Sequence, residues 1–184
     1  PSMAVAPLPR RGHSAVTLEV DWCQAMYVFG GCLGYTTYIG DLWAAELTSD
    51  GRLKWVQMKP AGASPPPRAW HAATALKGRA SMLVLGGRST YGCLDDAGAW
   101  HYDARAACWS TLRMRHGTGS CLRLHAFSAT LFGSSLLVYG GKHEVGVDGA
   151  MAAAVAGGYR DAPNHDRPRG GDVRFVFLLW AARF

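Results

Sequence analysis

Short apolar runs, each ending in a pair of glycines, recur three times along the chain. The runs occupy residues 26–29, 82–85 and 136–139, and the pairs are Gly30-Gly31, Gly86-Gly87 and Gly140-Gly141. The first glycines are separated by 56 and then by 54 residues. Apolar runs of this length beside turn residues are typical of β-strands, and a nearly constant period indicates stacked structural repeats.

Other features recur in the same order around each glycine pair. A histidine precedes the first glycine by 17, 15 and 15 residues in the three units: His13, His71 and His125. An arginine precedes each histidine: Arg10, Arg68 and Arg123. Two tryptophans follow the pair in the first two units: Trp43 and Trp55, then Trp100 and Trp109. We therefore expect the three units to be equivalent in structure.

Each repeat divides into four short extended runs, which predicts an all-β fold. In the second repeat the runs cover about 71–76, 81–87, 99–103 and 108–112, with loops rich in Gly, Pro and Ser between them. Four strands per repeat at a fixed period predict a blade of a β-propeller, built as a four-stranded antiparallel meander. We assign the blades to residues 8–60, 61–115 and 120–184, which makes a partial propeller of about three blades.

At these residues the sequence resembles the kelch-repeat family, whose unit is about 50 residues long. The family pattern is an apolar strand ending in Gly-Gly, followed by an aromatic residue a few positions before a tryptophan. Gly86-Gly87, Tyr102 and Trp109 match it, whereas Ala45 and Val176 stand at the tyrosine position of the first and third blades. The resemblance covers residues 8–142 and 170–178. It implies a scaffold or adaptor that binds protein partners through its loops.

The third blade departs most from the pattern. It carries a 142–171 insertion, and residues 172–178, which resemble 41–47, are expected to form its third strand. The chain ends at Phe184, before a fourth strand can complete. Stacked repeats bury their faces only against neighbours, so three blades alone leave open propeller faces. Missing blades of a longer protein, which we favour, self-association or a partner protein would complete them.

Composition narrows the choice of partner and compartment. The net charge of +6 makes an acidic segment of a protein, or nucleic acid, a plausible partner for the loops. The sequence contains no long apolar stretch that predicts a membrane span, so we expect no membrane association. Five cysteines without C-x-x-C spacing favour a reducing compartment, and we expect an intracellular, cytoplasmic protein.

Catalytic and metal-binding patterns are not evident in the sequence. It has neither a Gly-x-Ser-x-Gly nor a phosphate-binding glycine motif, and His143-Glu144 lacks the second histidine of a zinc protease motif. The three histidines repeat because the blades repeat, so we predict no metal site, no cofactor and no enzymatic activity. The alternative is a catalytic or non-catalytic subunit of a kelch-fold enzyme.

Aromatic and basic residues concentrate in the loops of one face of the predicted propeller. In a meander, the loops between second and third strands emerge on the same face as the segments that join the blades. Such residues are favoured at interface hot spots. The candidate partner-binding residues are Tyr35, Tyr38, Arg88, Tyr91, Arg113, Arg115, Lys142 and His143.

A second group of residues is expected to hold the blades together. Glycine inside a strand marks close approach by another group, which predicts tight packing at the three glycine pairs. Trp55, Tyr102 and Trp109 are the expected aromatic partners, and we predict that Trp109 covers Gly86-Gly87.

Overall fold

The computed structural model describes residues 6–94, 98–113, 123–132, 135–143, 157–158 and 174–178. The first sheet is a four-stranded antiparallel meander in which each strand pairs with the next one along the chain. Its strands are β1 (Ser14–Val20), β2 (Cys23–Leu33), β3 (Thr37–Leu47) and β4 (Leu53–Met58). The predicted all-β fold class is confirmed, and the described ranges contain no helix.

The second sheet repeats this arrangement. Its strands are β5 (Ala72–Ala75), β6 (Ser81–Leu85), β9 (Gly98–Asp103) and β10 (Cys108–Arg113). Between β6 and β9 the chain forms a separate two-stranded ribbon from β7 (Arg88–Ser89) and β8 (Gly92–Cys93). The register pairs Tyr102 with Trp109, as it pairs Ala45 with Trp55 in the first sheet. The two sheets are therefore equivalent, as the repeat predicts.

The third sheet differs from a meander. Its four strands are β12 (Ser128–Phe132), β13 (Ser135–Tyr139), β15 (Gly157–Gly158) and β16 (Arg174–Leu178), in the spatial order β12-β13-β16-β15. β11 (Leu124–His125) and β14 (Lys142–His143) form a separate two-stranded ribbon. β16 lies beside β13, as expected for a third strand, but the pairing is parallel, so the predicted antiparallel meander is wrong here. A parallel neighbour requires a crossover of a dozen or more residues, and the 142–171 insertion is long enough to supply one.

Two apolar clusters join the sheets face to face. The first combines β1–β3 residues such as Tyr27 and Phe29 with Met82, Tyr102 and Trp109 of the second sheet. The second joins Leu83 and Leu85 to Leu124, Leu136 and Val138 of the third sheet. Each of these residues is less than 10% exposed, so the core consists of the layers between successive blades.

The segment that leads into each blade, called here the lead-in segment, binds the glycine pair of the preceding blade. Gly31 N–H donates to the Arg68 carbonyl at 2.8 Å, and Gly87 N–H donates to the Leu124 carbonyl at 2.7 Å. A Cβ atom at Gly86 would lie 2.6 Å from the Leu124 carbonyl oxygen, and the φ of Gly86 is +61°. Both the space and the backbone conformation therefore require glycine.

The sequence-based alignment of the third unit is wrong by two positions. His13, His71 and Phe127 stand at equivalent places, because each lies against the second glycine of its own pair. His125 and Arg123 fall outside the equivalence, and Leu124 stands where Arg68 does. The reason is the length of the hairpin between the first and second strands of each blade. Each hairpin is two residues shorter than the one before, as the outermost aligned pairs show: Ser14↔Phe29, Ala72↔Leu85 and Ser128↔Tyr139.

The predicted placement of Trp109 over Gly86-Gly87 is also wrong. Its ring packs on Tyr102 at 4.9 Å and on Phe29 at 5.1 Å between centroids, which directs it toward the first blade. The atoms nearest to a Cβ at Gly86 belong to Leu124 and Phe127 of the third blade. The tryptophan and the glycine pair of one blade thus face opposite neighbours.

Candidate partner-binding face

The candidate partner-binding face, called the loop face below, consists of the loops after β2, β6 and β13 together with the lead-in segments. Arg11 and Cys32 are hydrogen-bonded through their backbones at 3.2 and 2.8 Å, and Ala69 and Arg88 pair in the same way at 3.0 and 2.9 Å. β11 and β14 repeat this ribbon in the third blade. The lead-in segments therefore hold the loops in fixed positions on one face.

An arginine and a tyrosine form an exposed contact of the first blade on this face. The Arg11 guanidinium lies 4.4 Å from the centroid of the Tyr35 ring, a cation–π geometry. Tyr35 is 84% exposed, so the opposite side of its ring is free to contact a partner. Arg11 was not among the residues predicted from the sequence, and its place beside Arg10 gave no signal that it would reach Tyr35.

Tyr38 has a different role from Tyr35. Its ring packs edge-on against Trp70 of the second lead-in segment, with centroids 6.0 Å apart and planes at 72°. Trp70 has a φ of +54° and donates its backbone N–H to the Gly12 carbonyl at 2.7 Å. Tyr38 is half-buried, so it supports the loop face and offers a partner less surface than Tyr35.

Arg88 and Lys142 occupy equivalent positions, directly after the glycine pairs of the second and third blades. Arg88 is half-buried and Lys142 is exposed. Tyr91, at the tip of the β7–β8 ribbon, is 98% exposed. The Tyr91 backbone N–H donates to Ser89 Oγ at 3.2 Å, which fixes the turn below the ring. Two basic residues, Arg88 and Lys142, and one aromatic residue, Tyr91, therefore lie on the same face as Arg11 and Tyr35.

The remaining candidates lie at the margins of the described ranges. Arg113 is the last residue of β10 and pairs with Gly98, and His143 ends β14 opposite Leu124. Arg115 lies outside the described residues. The contribution of these three side chains to the loop face stays a prediction.

A partly buried ion pair anchors the first lead-in segment beneath the loop face. Arg10 donates two hydrogen bonds to the Asp41 carboxylate, at 2.5 and 3.1 Å, and Trp43 Nε1–H donates a third at 2.7 Å. Burial favours the neutral acid, but these hydrogen bonds and the Arg10 charge outweigh it and lower the pKa of Asp41. Asp41 is therefore ionised and fixed, and it stabilises the loops without being available to a partner.

The repeated histidine position has a structural role. His71 Nε2 lies 2.8 Å from Ser14 Oγ, which links the second blade to the first. Burial, followed by the nearby charges of Arg68 and His13, lowers the pKa of His71 to about 3, so the ring is neutral at pH 7. His125, which lies outside this repeated position, has its Nδ1 3.0 Å from Cys93 Sγ. Among the described residues, no group of three or more His, Cys, Asp or Glu side chains could hold a metal ion.

A groove on the opposite face was not predicted from the sequence. It has a volume of about 430 Å³ and lies between the β1–β2 turn and the β5–β6 loop. Glu19, Asp21, Lys77, Arg79 and Arg105 bring charges of both signs to it. Because the lining residues come from turns of two blades and share no motif, the sequence offered no signal for this groove.

Residues 1–153 match the KLHDC2/KLHL20/DRC7 Kelch-repeats domain. The chain belongs to the kelch-repeat family. Its kelch repeats are similar to parts of three much longer proteins. It is 34% identical over 139 residues to the dynein alpha chain of the flagellar outer arm of Chlamydomonas reinhardtii, covering 74% of this chain and 3% of that protein.

Two further relatives contain the same kind of repeat. Identity is 29% over 156 residues with host cell factor of Drosophila melanogaster, covering 77% of this chain and 10% of that protein. It is 28% over 147 residues with adagio-like protein 1 of Oryza sativa subsp. japonica, covering 73% of this chain and 22% of that protein. The kelch chain thus spans between 3% and 22% of the length of these relatives.

Kelch-repeat domains generally serve as protein-interaction scaffolds rather than enzymes. This agrees with the interaction role expected from the sequence. In the described part of the chain, no helix is long and apolar enough to cross a membrane.

Proposed function

We propose that this kelch chain is a protein-interaction module that binds its partner through the loop face. The observation that carries the proposal is the cation–π pair of Arg11 with the 84% exposed Tyr35 ring. Tyr91, 98% exposed at the tip of a fixed ribbon, adds a second aromatic group. Aromatic and arginine side chains dominate interface hot spots, and an aromatic ring buries a large area while it loses little rotamer freedom.

The charge of the chain points to an acidic segment as the surface that it recognises. The net charge is +6, and Arg11, Arg88 and Lys142 carry positive charge on the loop face. Asp41, an acidic residue beneath this face, is neutralised by its pairing with Arg10. The positive potential of the loop face would steer an acidic partner segment toward the loops. Its carboxylates would accept hydrogen bonds from Arg11 in competition with the Tyr35 ring.

We further propose that binding, and not catalysis, is the activity of the loop face. The ionisable residues that the structure brings together there are held in structural pairs, Arg10 with Asp41 and Cys93 with His125. The cytoplasmic location expected from the cysteine pattern also stays a proposal.

A peptide-display selection tests the proposal directly. The chain is used as bait for a library of random peptides, and the enriched peptides are measured by fluorescence anisotropy. We expect enrichment of acidic peptides whose Kd rises at least tenfold in Tyr35→Ala and in Tyr91→Ala. Trp22→Ala is the matched control, because Trp22 is 94% exposed on the β1–β2 turn of the opposite face. Enriched peptides that bind both tyrosine variants as tightly as the wild type would overturn the assignment of the face.

A salt series separates a protein partner from nucleic acid. Binding of nucleic acid releases condensed counterions, so its affinity falls steeply and log-linearly with salt concentration. We expect the affinity of the acidic peptides to fall less steeply with salt than that of nucleic acid, because their binding also buries the Tyr35 and Tyr91 rings. A duplex or single strand that binds more tightly than every enriched peptide at physiological salt would favour nucleic acid.

A further inference from the structure

Cys93 and His125 form a thiol–imidazole pair between the second and third blades, on the loop face. Cys93 is the last residue of β8, and His125 is the last residue of β11. The Cys93 Sγ atom lies 3.0 Å from His125 Nδ1, which is within hydrogen-bonding distance. A thiol beside an imidazole is an arrangement that activates cysteine as a nucleophile, because the ring nitrogen can take the thiol proton.

One glycine fixes the backbone beside both members of this pair. The Gly87 N–H donates to the Leu124 carbonyl at 2.7 Å, and Leu124 directly precedes His125. The Gly87 carbonyl accepts a hydrogen bond of 3.0 Å from the N–H of Leu94, which directly follows Cys93. The sulfur and the imidazole are therefore positioned by the same backbone frame that joins the two blades.

The fold does not require a cysteine and a histidine at these two positions. In the first contact the equivalent residues are Tyr38 and Ala69. Tyr38 stands opposite the residue that follows a glycine pair, as Cys93 does. Ala69 pairs from its lead-in segment with the residue after the next glycine pair, as His125 does. The first contact thus forms without a thiol or an imidazole here, so packing alone does not account for the pair.

The Cys93 sulfur combines a basic partner with access to solvent. Cys93 is partly exposed, whereas His125 is buried at 9% exposure. Reactive thiols lie in partly exposed, electropositive surroundings, and buried structural cysteines such as Cys32, at 1% exposure, are inert. Cys93 therefore offers a small molecule a sulfur atom that can be reached and that lies beside a base.

Two cationic residues border the pair. Residues directly opposite each other on paired strands project to the same side of the ribbon, with Cβ atoms about 5 Å apart. Arg88 lies opposite Cys93, and Lys142 lies opposite His125. Their positive charges favour a thiolate over a thiol, and they attract a reagent that carries a negative charge.

We propose that Cys93 is a nucleophilic modification site for α,β-unsaturated carbonyl compounds that carry a carboxylate. His125 Nδ1 takes the proton from the thiol as Sγ attacks the β-carbon of the double bond. A C–S bond forms, the π electron pair moves to the α-carbon, and that carbon receives the proton from His125. The product is a thioether that contains every atom of both reactants, so the addition needs no oxidant and releases no leaving group.

The groups around the sulfur match this class of reagent. Arg88 and Lys142 lie on the two ribbons that flank the pair, so a carboxylate near the double bond would be held between them. The addition consumes one reagent molecule per chain and blocks the sulfur, so it adds no catalytic turnover to the loop face. It depends on the chain alone and is separate from the binding of a partner peptide.

Site-resolved alkylation of the 184-residue chain tests the nucleophile. The reduced chain is treated at pH 7 with limiting N-ethylmaleimide, and the adduct at each cysteine is followed over time by peptide mass spectrometry. Cys23, which is exposed on β2, is the internal reference. We expect Cys93 to react at least about fivefold faster than Cys23 despite its lower exposure. A Cys93 that reacts no faster than Cys23 would overturn the proposal.

His125→Ala distinguishes a base from mere access to the sulfur. Alanine already stands at the equivalent position of the first contact, as Ala69, so the ribbon should still form. Removal of the ring uncovers Cys93, so exposure alone would raise its rate, whereas loss of the base should lower it about tenfold. A rate that stays the same or rises would exclude His125 as the base.

Two controls accompany this variant. His13→Ala removes an exposed histidine from the first lead-in segment and should leave the rate at Cys93 unchanged. Cys32 is buried in the first blade, so its slow labelling verifies that both variants remain folded.

A matched pair of maleimides tests the carboxylate. Maleimidopropionate and N-ethylmaleimide share the reacting ring and differ in the carboxylate of the side chain. The rate of maleimidopropionate relative to N-ethylmaleimide should be at least about threefold higher at Cys93 than at Cys23. Lys142→Gln should reduce this ratio, because it removes one of the two cations. Equal ratios at the two cysteines would overturn the assignment of a carboxylate-bearing reagent.

Discussion

The contact between the first and second blades and the contact between the second and third blades share their backbone and differ in their side chains. Gly31 and Gly87 donate to lead-in carbonyls at 2.8 and 2.7 Å, and Trp70 and Ala126 donate back at 2.7 and 2.8 Å. These four bonds form the same frame in both places. Within it, one contact places Arg68 and His71, and the other places Leu124 and Phe127.

This difference shows which part of the kelch contact is fixed by geometry. The glycines are required because carbonyl oxygens lie against them and because their φ angles are positive. A ring covers the first glycine in both contacts, the imidazole of His71 at Gly30 and the phenyl group of Phe127 at Gly86. The polarity of the contact differs accordingly: Ser14 bonds to His71 in the first contact, and the apolar residues Ala72 and Phe127 stand at the equivalent positions of the second.

The largest expected effect comes from breaking this shared frame. Gly86→Val introduces a branched side chain at a φ of +61°, where its Cβ would lie 2.6 Å from the Leu124 carbonyl oxygen and 2.7 Å from the Phe127 ring. Strain and overpacking together should lower the free energy of unfolding by roughly 4 kcal/mol, measured by urea denaturation.

Gly78→Val is the matched control for this experiment. Gly78 has a φ of +73° in the β5–β6 loop, and a Cβ there would meet no described atom within 4 Å. The backbone strain alone should cost about 1–2 kcal/mol. Equal losses for the two variants would show that the lead-in carbonyl does not press on Gly86.

The next effect separates the two contacts by their aromatic content. Trp109 is 7% exposed and packs on Phe29 across the first contact. Trp109→Leu should lower the free energy of unfolding by roughly 2–3 kcal/mol, because leucine fills only part of the site. Trp55→Leu, at the equivalent but half-buried position, should cost about half as much in thermal or urea unfolding. A larger loss at Trp55 would contradict the assignment of Trp109 to the blade contact.

How far the sequence predicts this fold can be judged at particular residues. The glycine pairs and the Tyr102–Trp109 spacing correctly predicted the sheets, because both features follow from the local geometry of a strand and its hairpin. The alignment of His125 with His13 and His71 was wrong because it rested on the number of residues between each histidine and its glycine pair. Its error came from hairpin length, which shifts a residue by two positions without changing the strand pattern.

Contacts between blades were harder to predict than the blades themselves. Trp109 was assigned to the glycine pair of its own blade because both belong to one motif, yet it faces Phe29 of the preceding blade. The sequence specifies which residues are apolar, but which neighbour each one meets depends on the side of the sheet that it occupies. The candidate loop residues Tyr35 and Tyr91 were found because turns expose them, whereas Arg11 required the three-dimensional arrangement.

A double substitution in the first blade contact should have the smallest effect on stability at neutral pH and the most informative one at acidic pH. Ser14→Ala combined with His71→Phe copies the Ala72 and Phe127 pair into the first contact, and at pH 7 it should change the free energy of unfolding by less than about 1 kcal/mol. His71 has a pKa of about 3 in the folded chain, against 6.5 when exposed. Below pH 6.5 the unfolded chain binds a proton that the folded chain refuses, so stability falls as pH falls.

In the wild type, this one group should therefore remove about 1.4 kcal/mol per pH unit between roughly pH 6 and pH 4. The double variant lacks the group and should lose less stability over the same range, measured by urea denaturation at pH 7, 6, 5 and 4. Other groups, including Asp41 with its lowered pKa, titrate in both proteins and cancel in the comparison. If the free energy of unfolding had the same pH dependence in both proteins, His71 would be protonated within the folded contact. A charged imidazole could then not be exchanged for a neutral phenyl group, and the polar pair could not be replaced by the apolar pair.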